Sequence, residues 1–253
     1  YGPAERPAKR AVEIRERALG VHTPDTLGST CGLADIYTSQ GRYDAAEKLY
    51  KETLEIRRRV LGQGHPDTLK SMAGLAVVCE KKGRYDEAEK LHKEILEIRR
   101  RVLGPDHKET LSSLNNLAVV YSRQERYDEA EKLFHELLEN RRRLLGPDHP
   151  DTLTSMSNLA NAYYFQGRLD EAENPHRDTL EVRRRVLGHD HPSTLESMGN
   201  LANVYRGQRR YDEAEKLLRA MLEVQRRVLG PEHPDTLRAM SNHAELYCEE
   251  GQY

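Results

Sequence analysis

The 253-residue sequence contains no Trp and only two Phe, so its buried apolar surface must come mainly from Leu, Val, Ala and Tyr. Its three cysteines, Cys31, Cys79 and Cys248, are odd in number and far apart. This pattern fits reduced thiols better than a disulfide framework and predicts a cytoplasmic protein. With 40 Lys and Arg against 42 Asp and Glu, the net charge of -2 provides no general attraction to nucleic acid or to an anionic membrane.

Motifs for membrane insertion and for catalysis are also missing. No apolar run approaches 18 residues and no signal-peptide pattern occurs, so neither a membrane span nor secretion is predicted. The sequence has no GxxxxGK[ST] loop, no GxSxG, no HExxH and no cysteine in a recognisable nucleophile context. We therefore expect neither an enzyme nor a bound metal or cofactor.

What the sequence does contain is repetition. The string HPDTL stands at 65–69, 149–153 and 233–237, with near copies HKETL at 107–111 and HPSTL at 191–195, so the interval is 42 residues (65 to 107, for example). The interval accounts for nearly the whole chain and leaves no linker over. Internal repetition at this length is typical of stacked helical units.

Each period carries two amphipathic helical patterns, which residues 108 to 145 display clearly. Apolar residues recur at intervals of three and four in both patterns, which places each set on one helical face. In the first pattern they are Leu111, Leu114, Leu117, Ala118 and Tyr121; in the second they are Ala130, Leu133, Phe134, Leu137 and Leu138. The period therefore predicts one helical hairpin.

The residues between the two patterns predict where each helix begins and ends. In HPDTL, Pro66 suits a first helical position and Asp67 suits the first turn, where the helix dipole favours negative charge. Asp86 and Glu89 of the second helix resemble a capping box. The string RRRVLG predicts a helix end, with arginines near the negative end of the dipole and Gly104 in a left-handed conformation.

The spacing inside one period identifies a family resemblance. Positions that hold Trp, Leu, Gly, Tyr, Ala and Phe in the tetratricopeptide pattern are occupied by Leu114, Leu117, Ala118, Tyr121, Ala130 and Phe134. The whole chain resembles the 42-residue tetratricopeptide repeats of kinesin light chains. It is closer still to the C-terminal arrays of NB-ARC and NACHT signalling ATPases, with their SNLANAY, GRYDEAE and LGPDHPDTL strings.

This resemblance implies an all-α fold, a right-handed α-solenoid of stacked helical hairpins with a 42-residue period. We expect a single solenoid over 1–253 that looks cut from a longer array at both ends. Its segments are a second helix at 1–20, five full repeats at 21–62, 63–104, 105–146, 147–188 and 189–230, and a first helix at 231–253.

Since first helices line the concave side in tetratricopeptide proteins, we place a partner-binding strip on them, at positions i, i+4, i+7 and i+11. An asparagine recurs within this strip, at Asn116, Asn158, Asn200 and Asn242, and kinesin-light-chain-like repeats carry a matching residue. The remaining predicted partner-binding residues are Arg123, Thr154, Asn161, Tyr164, Phe165, Asn203 and Arg238.

Asparagine amides can donate to and accept from an extended backbone whatever its side chains are. Phe165 beside Tyr164 is the candidate apolar anchor. The alternative is that the asparagines bridge neighbouring first helices or face water. The first two repeats depart from the pattern, because Gly32 and Gly74 stand at the asparagine position.

Two other recurring features favour structural roles. The recurring histidines are too far apart for one metal site, so we expect them to cap helices or pack in loops; they are His65, His107, His149, His191 and His233. The arginine runs at 57–59, 99–101, 141–143 and 183–185 could form a basic edge for nucleic acid. We interpret them instead as solvated residues that compensate the helix dipole.

The sequence therefore predicts a non-enzymatic module that binds a protein or peptide on its concave face, or another domain of the parent chain. The resemblance favours the sensor region of a signalling ATPase. A kinesin-light-chain-like cargo adaptor and a passive spacer are the alternatives. Nucleic acid and membranes are not expected partners, and end-to-end self-stacking is possible.

Overall fold

The computed structural model describes residues 2–250, with side chains from Ala4 to Cys248. Tyr1 and residues 251–253, the last of the predicted first helix at 231–253, lie outside the described residues. The described residues form twelve α-helices: α1 (Gly2–Leu19), α2 (Pro24–Ser39), α3 (Tyr43–Leu61), α4 (Pro66–Lys81), α5 (Tyr85–Leu103), α6 (Lys108–Arg123), α7 (Tyr127–Leu145), α8 (Pro150–Phe165), α9 (Leu169–Leu187), α10 (Pro192–Gly207), α11 (Tyr211–Val228) and α12 (Pro234–Glu250).

The recurring histidine begins each first helix from α4 onward. In α4, the backbone N–H of Asp67 donates to Nδ1 of His65 (3.1 Å), while Pro66 occupies the first helical position, where a missing N–H costs nothing. The corresponding distances at His107, His149, His191 and His233 are 3.2, 3.2, 3.1 and 3.2 Å. The capping role predicted for these histidines is confirmed.

Each second helix is followed, directly or one residue later, by a glycine whose backbone only glycine adopts easily. Gly62 has φ 88° and ψ 165°, and Gly104 has φ 91° and ψ 162°. The predicted positive φ is confirmed, although ψ differs from that of the left-handed helix. A buried threonine of the next helix fixes this loop, because Oγ1 of Thr68 donates to the Gly62 carbonyl (2.8 Å).

The predicted capping box at the start of the second helices is wrong. Arg84 is the N-cap of α5 and makes no side-chain cap hydrogen bond. Asp86 and Glu89 instead accept hydrogen bonds from the side chain of Gln124, at 2.8 and 3.0 Å. These carboxylates therefore join one repeat to the next rather than closing their own helix.

The chain divides into two compact units, Tyr1–Arg126 and Tyr127–Tyr253. Within each unit, every helix packs against the next one in the sequence. The core of the first unit includes Met72 and Ile95, and that of the second includes Met198 and Leu201. The all-α architecture of consecutive helical hairpins is confirmed.

Candidate partner-binding surface

The predicted strip lies along helices α8 and α10 of the second unit. On α8, Asn158 and Asn161 are half-buried, and Thr154 and Phe165 are exposed on either side of them. On α10 two more asparagines, Asn200 and Asn203, are half-buried at the matching positions. Helices α8 and α10 contact each other, and the four asparagines occupy matching positions on these two helices; we call this set the amide surface.

The other predicted residues lie outside the amide surface. Arg238 is exposed and Asn242 is half-buried on α12 of the second unit. Asn116 and Arg123 are exposed on α6 of the first unit.

The amides differ in what they contact. Asn158 already has an interaction partner within the chain. By contrast, the side chains of Asn161, Asn200 and Asn203 make no hydrogen bond to another described residue. Each of these three amides keeps its N–H donors and carbonyl acceptor for a partner or for water.

An aromatic cluster of Tyr127, Tyr164 and Phe165 borders the amide surface. Phe165 is 59% exposed, and its ring stacks on Tyr127 with centroids 5.4 Å apart and planes 11° from parallel. Tyr164 meets Phe165 edge to face, with centroids 5.4 Å apart. Two neighbouring rings therefore hold the exposed ring in place, so little side-chain entropy remains to be lost when a partner covers it.

Sequence reasoning missed Tyr127, although the repeat contains a signal for it. Position 127 begins a second helix and position 165 ends the next first helix, and the same pairing recurs between Leu169 and Gly207. There, a Cβ on Gly207 would lie 2.9 Å from Cδ1 of Leu169. The two positions are thus neighbours in both of these helix pairs, and of the two pairs only Tyr127 with Phe165 is aromatic on both sides.

In the second helical hairpin a glycine replaces the asparagine for a steric reason. A Cβ on Gly74 would lie 2.3 Å from Cε1 of Tyr50, whose hydroxyl donates to Asp35 on α2. Burial and the hydrogen bond to Asp35 raise the pKa of the Tyr50 phenol. Gly32 has no such neighbour within 4 Å, and nothing in the structure explains the glycine there.

The interpretation of the arginine runs as solvated residues is wrong for the first arginine of each run. Arg57 is only 3% exposed, and its Nη1 donates to the Asp67 carbonyl (2.9 Å) and to Oγ of Ser71 (2.8 Å) on the following first helix. We call this arrangement an arginine bridge. It recurs at Arg15, Arg99, Arg141 and Arg183, paired with Ser29, Ser113, Ser155 and Ser197.

A second connection joins successive second helices through a carboxylate. Glu47 of α3, 10% exposed, accepts from Lys82 and Arg84 beyond α4, each at 2.7 Å, and from Lys51. Burial alone would raise the pKa of Glu47, but hydrogen bonds from Arg84, Lys51 and Lys82 outweigh it and lower the pKa to about 2. The carboxylate is therefore ionised at neutral pH and holds two repeats together.

The described residues form neither a metal-binding cluster nor a membrane-spanning helix. No cluster of three or more His, Cys, Asp or Glu suited to a metal ion occurs among residues 2–250. Within that same range, none of the helices combines the length and the apolar character that crossing a bilayer requires.

The sequence matches models described as tetratricopeptide repeats over most of its length. One matches at residues 4–59, 25–99, 67–132 and 109–185, and a second at residues 194–235. The comparison with curated proteins gave no significant match.

Several solved structures of repeat proteins are also similar to this chain. A Podosopora anserina protein described as a kinesin light chain with nearly identical TPR-like repeats is 28% identical, with a TM-score of 0.72, over 81% of this chain and 97% of that one. BtubC (BKLC) from P. vanneervenii is 25% identical, with a TM-score of 0.75, over 92% and 93% of the two chains. A STAND ATPase with a tetratricopeptide repeat sensor from Pyrococcus horikoshii is 17% identical, with a TM-score of 0.75, over 98% of this chain and 37% of that one.

Proposed function

This chain belongs to the tetratricopeptide repeat family, and we propose that it binds an extended segment of a protein partner along the amide surface of its second unit. Repeats of this family are in general non-enzymatic scaffolds that bind proteins or peptides. The observation that carries the proposal is a set of half-buried amides that make no hydrogen bond to any other described residue, beside the exposed Phe165 ring; they are Asn161, Asn200 and Asn203.

The chemistry of the amide surface suits an extended backbone. Each amide can donate to a carbonyl and accept from an N–H of the partner, whatever the partner's side chains are. The fixed ring of Phe165 then provides an apolar contact that selects among sequences. Affinity comes from both, because each hydrogen bond alone is worth only about 0.5–1.5 kcal/mol after water is displaced.

Selection from a random-peptide library, followed by measurement of dissociation constants for the selected peptides, tests this proposal. We expect Asn200→Ala and Phe165→Ala each to weaken binding about tenfold. The melting temperature should stay unchanged in Asn200→Ala and fall slightly in Phe165→Ala, which loses the ring contacts with Tyr127 and Tyr164. Glu223→Ala on the exposed face of α11 is the control and should bind as the wild type does. Selected peptides that bind all variants equally, or no selected peptide at all, would leave the passive spacer as the better account.

We further propose that the module is the sensor region of a cytoplasmic signalling ATPase. The NB-ARC-like strings and the fold shared with the STAND sensor protein support this proposal. A ligand would then shift its parent between closed and open states only through different affinities for the two. Another domain of the parent chain is an equally suitable occupant of the amide surface.

A cargo adaptor is the second candidate, and the 28% identity to the protein described as a kinesin light chain favours it. The coding sequence upstream of Tyr1 distinguishes the two. A GxxxxGK[ST] loop in the same polypeptide supports the sensor, whereas a heptad-patterned coiled coil supports the adaptor.

A further inference from the structure

A recess in the second unit lies between α9 and α11, and residues of α10 form its base. It has a volume of about 540 Å³. Arg177, Arg184 and Arg185 line it on the α9 side, and the half-buried Leu217 supplies apolar surface. We call it the α9–α11 groove. None of its lining residues belongs to the amide surface.

The first unit shows what the equivalent arginine binds. On α3, Nη2 of Arg58 donates to both oxygens of Glu94 on α5, at 2.9 and 3.0 Å. Arg184 stands three repeats later at the same position, since 184 is 58 plus three intervals of 42. Between α3 and α5, the partner of this arginine is thus a carboxylate carried by the next second helix.

Arg184 lacks that partner because the repeat supplies none. The positions equivalent to Glu94 hold Glu52, Glu136 and Asp178, but in α11 the position holds Ala220. Arg184 is half-buried, and among the described residues its Nε is buried without a hydrogen-bond partner and no ion pair reaches its guanidinium.

The other arginines of the groove already have carboxylate partners. Arg177 pairs with Glu173 on its own helix, and Arg185 pairs with Asp148 at 2.6 Å, so both are satisfied at the rim. Glu181 is the acidic residue in the lining, and it makes no ion pair with another described residue. Arg184 therefore remains the cation with hydrogen-bonding capacity to spare.

We propose that the α9–α11 groove binds an acidic, leucine-containing peptide segment of a partner protein. A carboxylate of the segment pairs with Arg184 as Glu94 pairs with Arg58, and an apolar side chain lies on the half-buried Leu217. A carboxylate is favoured over other anions because the same chain already shows this arginine position binding one. The proposal uses a different face from the amide surface and stands independently of it.

The probe is a fluorescein-labelled peptide of repeated Glu-Glu-Leu units, titrated by fluorescence anisotropy. Arg184→Ala should raise its dissociation constant about tenfold or more, because a charge-assisted hydrogen bond is lost. Ala220→Glu restores the carboxylate that the sibling helices carry, so it should fill the site from within the chain and weaken binding by a similar factor. That variant is expected to fold, because α3, α5 and α7 tolerate Glu at the same position.

Two controls separate charge from size and from general attraction. Ala220→Gln adds the bulk without the charge and should leave the dissociation constant within about threefold, as should Arg58→Ala in the first unit. The proposal is overturned if Ala220→Glu binds the peptide as the wild type does. It is overturned equally if a peptide with Lys in place of Glu binds as well, or if inorganic phosphate displaces the peptide at the concentration expected for a general anion site.

Discussion

Two neighbouring helix pairs of the second unit, α9–α10 and α11–α12, have helices of similar length but differ in the polar contact between the two helices of the pair. In the first pair, Arg183 is 5% exposed and its Nη1 donates to the Ser193 carbonyl (3.0 Å) and to Oγ of Ser197 (2.8 Å). In the second pair the equivalent residues are Gln225 and Ala239, and Oε1 of Gln225 is buried without a hydrogen-bond partner among the described residues.

The comparison indicates that helix pairs of similar length need not contribute equally to the stability of the array. Burying a guanidinium costs desolvation, which lowers the pKa of Arg183, and the hydrogen bonds to the Ser193 carbonyl and the Ser197 hydroxyl offset that cost. The last pair avoids the buried charge but gains no bridge in return. In repeat proteins stability is roughly a sum of local terms, so α12 should open before α10 does.

The largest expected effect comes from removing one arginine bridge. Arg183→Met keeps apolar bulk but removes the buried donor that the Ser193 carbonyl and the Ser197 hydroxyl share, at a cost of about 1–3 kcal/mol. Gln225→Met is the matched control, and it should be neutral or slightly stabilising because it removes a buried unsatisfied oxygen. Hydrogen exchange of the α9 and α10 amides measures the difference. Equal protection losses in the two variants would contradict the bridge.

The second-largest effect comes from comparing a glycine on α4 with a glycine on α2. Gly74→Ala places a Cβ against the rigid ring of Tyr50 and should destabilise by about 1–3 kcal/mol. Gly32→Ala meets nothing within 4 Å and should stabilise α2 by about 0.5–1 kcal/mol through helix propensity. The urea midpoints of the two variants should therefore move in opposite directions. A shift of the same sign in both would show that the ring gives way freely.

A smaller effect depends on pH and tests the carboxylate connection. Glu47 has a folded-state pKa of about 2, below the ordinary value of 4.5, so its stabilisation is complete above about pH 4.5 and is lost as pH falls toward 2. Glu47→Gln should cost about 1–2 kcal/mol at pH 7 and almost nothing near pH 2. Glu215 is the control position, because it accepts a hydrogen bond from the Tyr247 hydroxyl (2.6 Å) and not from any described Lys or Arg side chain. If Glu47→Gln and wild type lose stability in parallel on acidification, the connection is not maintained by charge.

The smallest effect is expected from building an arginine bridge into the pair α11–α12. Gln225→Arg together with Ala239→Ser rebuilds the donor and the acceptor of the arginine bridge, for a gain of about 1 kcal/mol after desolvation is subtracted. Either change alone should give nothing or a loss, since each leaves one half of the pair unmatched. A double-mutant cycle measures the coupling directly. Additive single effects would rule the bridge out at this position.

Much of the fold was predictable because local rules and the period agree. His65 and Pro66 indicate a helix start, Gly62 a helix end, and the apolar spacing of α6 and α7 indicates which faces pack. The strip positions on α8 and α10 followed from the same periodicity. These features depend on residues close together in the sequence.

The parts that were missed depend on contacts across helices. Arginine is ordinarily exposed, so nothing local marks Arg57 as buried. A signal did exist: each bridging arginine is followed fourteen residues later by serine, and at 225 and 239 both residues change together. The stack of Tyr127 on Phe165 likewise joins the beginning of one helix to the end of the next, and helical periodicity alone does not link them.

The threonine contact between loops has a consequence for how such a chain changes over time. In all six loops a threonine hydroxyl reaches the glycine carbonyl six residues earlier, and every one of these distances is 2.8 Å. Any junction can therefore be joined to any other without altering its geometry. Unequal recombination between copies of the gene would insert or delete whole 42-residue units (Gly62 to Gly104, for instance) with the joint intact, so the length of the array is free to evolve separately from the residues on its surfaces.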